Sequence, residues 1–259
     1  MALDLAHQVY GDPAAPPLVV LHGLFGSARN WHTLAQGWGD HQRVFAVDLR
    51  NHGQSPWDAT MDYPAMAGDL QRFFQRHRLS TATLLGHSMG GKAAMAFALE
   101  HPHAVARLVV LDIAPVVYRH SHRAYIDAMA GLDLSQYQRR TAVDGALALQ
   151  IPEVGIRQFL LQNLRTQDGR FSWRLNLAAL AQHMDDLVDF PTDLQAKRYE
   201  GPTLFLAGEH SDYIEPAHEP AIRRLFPHAI LETLPEAGHW LHAERPQAVA
   251  ARVGAFLHA

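Results

Sequence analysis

Ser88 lies in Gly86-His87-Ser88-Met89-Gly90, a G-x-S-x-G pattern placed between an apolar run at residues 81–85 and an alanine-rich stretch at 92–99. A serine hydroxyl is a weak nucleophile at neutral pH. It becomes reactive when it is exposed, set beside a base and faced by donors that take up the charge of an oxyanion. A sharp strand-to-helix turn supplies the exposure. Glycines two residues to either side let neighbouring backbone pass close by, and the N-terminus of the following helix turns its N–H groups toward the reacting centre. The chemistry such a turn serves is acyl transfer to serine.

Gly86, Gly91 and Lys92 also approach the G-x-x-x-x-G-K opening of a phosphate-binding loop. That loop needs Ser or Thr next, to hold Mg²⁺, and the next residue is Ala93. Nucleotide binding is therefore set aside, and Lys92 is expected on the first turn of the helix.

A base and an acid must come from elsewhere in the chain. His239, in Gly238-His239-Trp240 after the last expected strand, is the expected general base. Two carboxylates could orient its imidazole and stabilise the charged ring. Asp212, in Gly208-Glu209-His210-Ser211-Asp212, follows the penultimate strand and is the preferred acid; Asp112, in Leu111-Asp112-Ile113-Ala114-Pro115, ends an earlier strand and is the alternative. Whichever is not used is expected to cap a turn. The loop His22-Gly23-Leu24-Phe25-Gly26-Ser27 can bend toward Ser88, so the N–H of Leu24 would join that of Met89 in an oxyanion hole. Phe25, Trp31 and Trp240 are candidate acyl-pocket residues. Arg119, His120 and Arg123 could hold a carboxylate or phosphate on a substrate, as an acyl-CoA would require.

These groups need a frame to carry them. Short apolar runs at residues 18–21, 44–48, 83–85, 108–113, 203–207 and 230–234 read as buried strands of a parallel sheet. Between them, residues 63–78 place Met66, Leu70, Phe73 and Phe74 at helical spacing, and residues 246–258 repeat the pattern. The alternation predicts a doubly wound α/β arrangement. Residues 116–199 break it and read as helices without a strand, at 121–132, 136–150, 152–165 and 174–184. The expected organisation is thus an α/β core from 1–115 and 200–259, with a helical cap at 116–199 over the C-terminal edge of the sheet.

Composition narrows the function classes. The 259 residues are 48% hydrophobic and 19% charged, enough apolar material for a sizeable core. A net charge of −4 offers no basic field for nucleic acid or an anionic membrane. The absence of cysteine excludes disulfides, a thiol nucleophile and thiolate metal sites. Eighteen histidines raise the question of a metal, but H-E-x-x-H is absent, and the i,i+2 pairs His101/His103 and His120/His122 would point to different faces of a helix. Neither metal nor cofactor is expected. The opening Met1-Ala2-Leu3-Asp4 lacks the basic and apolar regions of a secretory signal, and no apolar stretch reaches membrane-spanning length, so the cytoplasm is the expected setting.

Taken together, residues 22–27, 48–55, 86–92 and 112–115 and the Gly238-His239-Trp240 triplet resemble the α/β-hydrolase superfamily. Within it, Leu24-Phe25-Gly26-Ser27, Arg50-Asn51-His52-Gly53 and Ser88-Met89-Gly90-Gly91-Lys92 resemble the small esterase group of bacterial YbfF-type esterases and the α/β-hydrolase domain-containing protein 11 group. That resemblance implies a doubly wound fold with a cap and a serine esterase acting on small or medium acyl esters. It also implies an alternative, an acyl-CoA thioesterase; a rival from another class is a ligand-sensing α/β-hydrolase receptor that keeps an intact triad. The resemblance suggests, further, that the acid is the residue at Asp112.

Overall fold

The computed structural model describes residues 1–119 and 122–258. Seven strands form one sheet: β1 (His7–Tyr10), β2 (Pro17–Leu21), β3 (Arg43–Val47), β4 (Ala82–His87), β5 (Val105–Leu111), and, after a long excursion, β8 (Thr203–Gly208) and β9 (Ala229–Leu234). Their spatial order is β1-β3-β2-β4-β5-β8-β9. All pairings are parallel except that of β1 with β3. The six strands expected from apolar runs are all present. β1 gave no such signal because it is an edge strand whose one aliphatic side chain, Val9, faces solvent.

Alternate residues along each central strand feed two separate cores. Val19, Leu21, Leu84, Leu108 and Val110 join α2 (Tyr63–Arg76) and α3 (Met89–Glu100) on one face. Leu18, Val20, Leu85, Val109 and Leu111 join α1 (His32–Trp38) and α11 (Pro246–His258) on the other. Burial on both faces is why these strands read as continuous apolar runs. Helix α2 starts where the Asp62 carboxylate accepts the Ala65 N–H at 2.8 Å, with Pro64 in its first turn, and it buries Met66, Leu70, Phe73 and Phe74 as their spacing predicts.

The strand order reverses between β2 and β4, since the chain goes from β2 outward to β3 and returns to β4 on the opposite side. Ligand sites of open α/β sheets lie beyond the strand C-termini at such a point. His22 follows β2 there, and Ser88 follows β4.

Between β5 and β8 run α4 (Arg123–Ala130), α5 (Arg140–Leu147), α6 (Val154–Leu161), α7 (Leu177–Gln182) and α8 (Met184–Val188). The expectation of helices alone fails in one place. Residues 164–173 form an antiparallel hairpin of β6 (Leu164–Gln167) and β7 (Arg170–Trp173), and the helix expected over 152–165 stops at Leu161. The turn is Asp168-Gly169, with φ 51° and 74°. Two positive φ angles in a two-residue loop make the Asp-Gly turn that best matches strand twist. Helices α9 (Glu219–Leu225) and α10 (Leu241–Glu244) complete the chain.

Lys92 is on the first turn of α3, as expected, but is 1% exposed. Its Nζ donates to the carbonyls of Val116 at 2.9 Å, Val188 at 2.9 Å and Asp189 at 2.8 Å. These carbonyls belong to the two chain segments that leave and re-enter the core, so one ammonium ties both ends of the excursion to α3. Burial pushes the Lys92 pKa down to about 7, while only the charged form has a third N–H for the third carbonyl. Lys92→Met keeps the buried stem and strands three acceptors. We expect it to lower stability by about 3 kcal/mol or more in thermal denaturation, with faster proteolysis between residues 116 and 199.

Candidate active site

The turn at Ser88 is a backbone outlier. Its φ of 53° and ψ of −121° lie outside the regions an L-residue favours, at a cost of about 1–3 kcal/mol. Bonds on either side hold it there: the Ser88 N–H donates to Leu111 O at 3.0 Å, and the Lys92 N–H donates to Ser88 O at 3.0 Å. The flanking glycines are required by packing. A Cβ on Gly86 would sit 2.2 Å from Gly90 O, and one on Gly90 would sit 2.4 Å from His22 O.

The Ser88 hydroxyl faces the His239 Nε2 at 3.1 Å, and the Nδ1–H of that ring donates to Asp112 Oδ2 at 2.8 Å. The carboxylate on His239 is therefore Asp112, and the preference for Asp212 is corrected. β5 lies directly beside β4, so the residue after Leu111 falls within reach of the elbow. Asp212 lies four residues beyond the end of β8, and its side chain is exposed. The loop that carries Asp212 serves the site through other groups. Gly208 N–H donates to Asp112 Oδ1 at 2.9 Å, and Ser211 Oγ–H donates to Asp112 Oδ2. Burial raises the Asp112 carboxyl to about 6 against the pull of these two donors, and the nearby charge of Asp212 adds to the rise.

Two aromatic rings fix the imidazole. Tyr213 stacks on His239 with centroids 3.8 Å apart and planes 17° from parallel. His87, from within the elbow, donates its Nε2–H to the His239 carbonyl at 2.7 Å, and burial holds its pKa well below the usual histidine range.

The loop after β2 is shaped by neutral histidines. His22 Nδ1–H donates to Gly23 O at 2.8 Å while its Nε2 accepts the Leu49 N–H at 3.0 Å. His52 Nδ1–H donates to Arg50 O at 2.9 Å while its Nε2 accepts the Phe25 N–H at 3.3 Å. Burial lowers the two rings to about 4 and about 3, respectively, as each must stay neutral to accept. Asp48 accepts the Ala28 N–H at 2.7 Å and the Gln54 N–H at 2.8 Å, bracing the same loop from below. From the excursion, Asn163 Nδ2–H donates to Phe25 O at 2.8 Å. Gly23 passes so close to the elbow that a Cβ there would lie 2.8 Å from the His87 ring and 3.2 Å from Ser88 Cβ. Among the described residues, no hydrogen bond takes the N–H of Leu24 or of Met89. The sequence offered His22, Asp48 and His52 only as a resemblance, without a task for any of them.

A cavity of about 140 Å³ opens at Ser88 and His239, lined by Leu24, Phe25, His122, Tyr125, Ile156, Phe159, Leu160 and Trp240. Phe25 and Trp240 are thus at the cavity, as expected. Trp31 is not. It is fully buried on the opposite face of the sheet, stacked on His242 with centroids 4.7 Å apart, because the turn that carries it leads into α1 in the second core. Arg123 also departs from expectation. Its Nε donates to Asp127 at 3.1 Å and its Nη1 to Ala181 O at 2.7 Å, so it spans α4 and α7 rather than facing the cavity. Arg119 is exposed and does not line the cavity, and His120 lies outside the described residues. A smaller chamber of about 40 Å³, floored by Met89, Lys92, Ile113, Met184 and Leu187, also reaches Ser88.

Residues 16–246 match the alpha/beta hydrolase fold family. The chain belongs to that family. The sn-1-specific diacylglycerol lipase ABHD11 of Mus musculus is 48% identical over 255 residues, which covers 95% of this chain and 82% of the mouse protein. Esterase YbfF of Escherichia coli is 35% identical over 243 residues, 93% of each chain. Among solved structures, a marine microorganism esterase superposes with a TM-score of 0.95 at 38% identity, covering 98% of this chain and 100% of that one. This α/β-hydrolase is a carboxylic ester hydrolase. No helix among its described residues is long and apolar enough to cross a membrane.

Proposed function

We propose that the protein is a serine carboxylesterase that hydrolyses small or medium acyl esters through an acyl-enzyme on Ser88. The observation that carries this reading is the line of hydrogen bonds from Ser88 Oγ to His239 Nε2 and from His239 Nδ1 to Asp112. His239 takes the serine proton as Oγ attacks the ester carbonyl. The imidazolium that forms is stabilised by Asp112 and then protonates the leaving alcohol. The carbonyl oxygen, now negative, is received by the N–H groups of Leu24 and Met89, a pair of which each member contributes about 3 kcal/mol to lowering the barrier. Water then enters, activated by the same histidine, and releases the acid. Residues 116–199 act as a cap that excludes bulk water from the cavity, over a core of 1–115 and 200–259.

A screen of p-nitrophenyl esters of graded chain length tests this reading. We expect kcat/KM to peak at short to medium acyl chains and fall for long ones; a flat profile, or turnover that survives loss of Ser88, would refute it. The acid side of the profile has a defined origin. Asp112 must be ionised to hold an imidazolium, and its carboxyl is raised to about 6, so kcat/KM should fall as the pH drops through that value. Asp212→Asn removes a negative charge that raises the Asp112 pKa, and it is expected to move this limb to lower pH with little change in the plateau.

A further inference from the structure

The turn that carries Leu24 is held in a conformation its own residues do not favour. Gly26 N–H donates to Gly23 O at 2.9 Å and closes a four-residue turn with Leu24 and Phe25 at its centre. Phe25 has φ 63°, a left-handed value that glycine or asparagine supplies at the third position of a turn and that strains an aromatic residue. It has to be kept in place from outside. The peptide groups on either side of Phe25 do so. The N–H of the preceding one is accepted by His52 Nε2 at 3.3 Å; in the following one the N–H closes the turn and the carbonyl accepts Asn163 Nδ2–H at 2.8 Å. The angle φ of Phe25 is the rotation of one of these groups against the other, so it stays fixed while both are bound. One hold comes from the α/β core and the other from the excursion.

Asn163 follows α6 and is 3% exposed. Its amide nitrogen also donates to Leu160 O at 3.2 Å, and its backbone carbonyl accepts the Arg174 N–H at 2.9 Å, so its side chain is oriented by α6 and by the exit of β7. The residue before it makes a second tie. Gln162 Oε1 accepts Asn30 Nδ2–H at 3.1 Å, and Asn30 Oδ1 in turn accepts the Ser27 N–H at 2.7 Å. Consecutive residues of the excursion thus grip the same loop on both sides of Gly26.

We infer that Asn163 is a positioning residue for the oxyanion hole: by holding Phe25 O it keeps the turn in the form that aims the Leu24 N–H at the charge developing beside Ser88. The inference rests on the proposed esterase reading and gives the excursion a part in stabilising the transition state besides excluding water. A neutral ester carbonyl depends little on the aim of a donor, and an oxyanion depends on it strongly, so losing the Asn163 bond should be felt in kcat and not in KM. A side chain that only completes the end of α6 would change stability and leave the chemistry of each folded molecule as it was.

The test uses Asn163→Leu and Asn163→Asp in the full-length protein, two changes of similar volume that remove the donor. Active sites are counted by labelling to completion with a fluorophosphonate, so that any unfolded fraction drops out of the comparison. On p-nitrophenyl butyrate we expect kcat per labelled site to fall roughly ten- to a hundredfold, with KM within about twofold of the parent. Butyl trifluoromethyl ketone gives the reading that a structural role would not move. Ser88 Oγ adds to its carbonyl carbon and leaves an oxyanion where the hole receives it, so its inhibition constant should rise by about the factor by which kcat/KM falls. An inhibition constant that stays parental in both variants, whatever their melting midpoints, would overturn the inference and leave the esterase reading standing. A KM that rises as much as kcat/KM falls would overturn it as well. A parent protein that is not labelled at Ser88 would remove the esterase reading instead.

Discussion

Ser88→Ala is expected to fold as the parent does and to lose kcat on p-nitrophenyl butyrate by a factor on the order of 10⁶. The hydroxyl is the only atom removed, and the backbone strain at this residue is not relieved by alanine, which has the same Cβ. Ser88→Gly should differ in a way that separates chemistry from structure. It is equally inactive, yet it frees a residue held at φ 53° and ψ −121°, so its melting midpoint should rise by the equivalent of about 1 kcal/mol. An active Ser88→Gly, or one that melts below the alanine variant, would mean that the turn is neither the reacting position nor a strained one.

Asp112→Asn is the second large effect, and it runs in opposite directions for activity and stability. The amide cannot accept the imidazole Nδ1–H in the present rotamer and cannot stabilise an imidazolium, so kcat should fall by about 10⁴. Stability should rise. A carboxyl whose pKa goes from 3.8 unfolded to about 6 folded binds its proton more tightly in the folded state. Its contribution is then fully favourable below pH 3.8, declines as the pH rises through about 6, and is a standing cost at neutral pH, on the order of 1–3 kcal/mol. The melting advantage of Asp112→Asn over the parent is therefore expected to be largest near pH 7.5 and to shrink toward pH 4. Asp212→Asn, at an exposed position, should change the plateau kcat less than about threefold. A large loss from Asp212→Asn with Asp112→Asn near parental would reassign the acid.

Much of this arrangement is legible in the sequence, for identifiable reasons. Burial on both faces wrote the central strands as unbroken apolar runs, and the glycines around Ser88 reflect two backbone approaches that no side chain could share. His239 stood out through its glycine and its place after the last strand. The acid was harder because both aspartates end a strand or follow one, and choosing between them depends on which strand lies next to β4, a property of sheet order that local sequence does not carry. Trp31 was misplaced for a related reason: an aromatic a few residues beyond the Leu24 loop can lie on either face of the sheet. The hairpin was overlooked although Asp168-Gly169 is a strong turn signal, because each strand is four residues long and sits among helices. Lys92 is read correctly as lying on the first turn of its helix, but its burial was not legible, since its three carbonyl partners lie 24, 96 and 97 positions away.

The central assertion is that Ser88, activated by His239 on Asp112, takes the acyl group from the ester. Rapid mixing with excess p-nitrophenyl acetate followed by acid quench and peptide mass analysis examines that step itself. The expected result is a burst of nitrophenol approaching one equivalent per chain, with the acetyl group on the peptide that contains Ser88, and a loss of both in His239→Ala. Steady release without a burst and without an acetylated Ser88 peptide, in a protein that still turns over, would contradict the account.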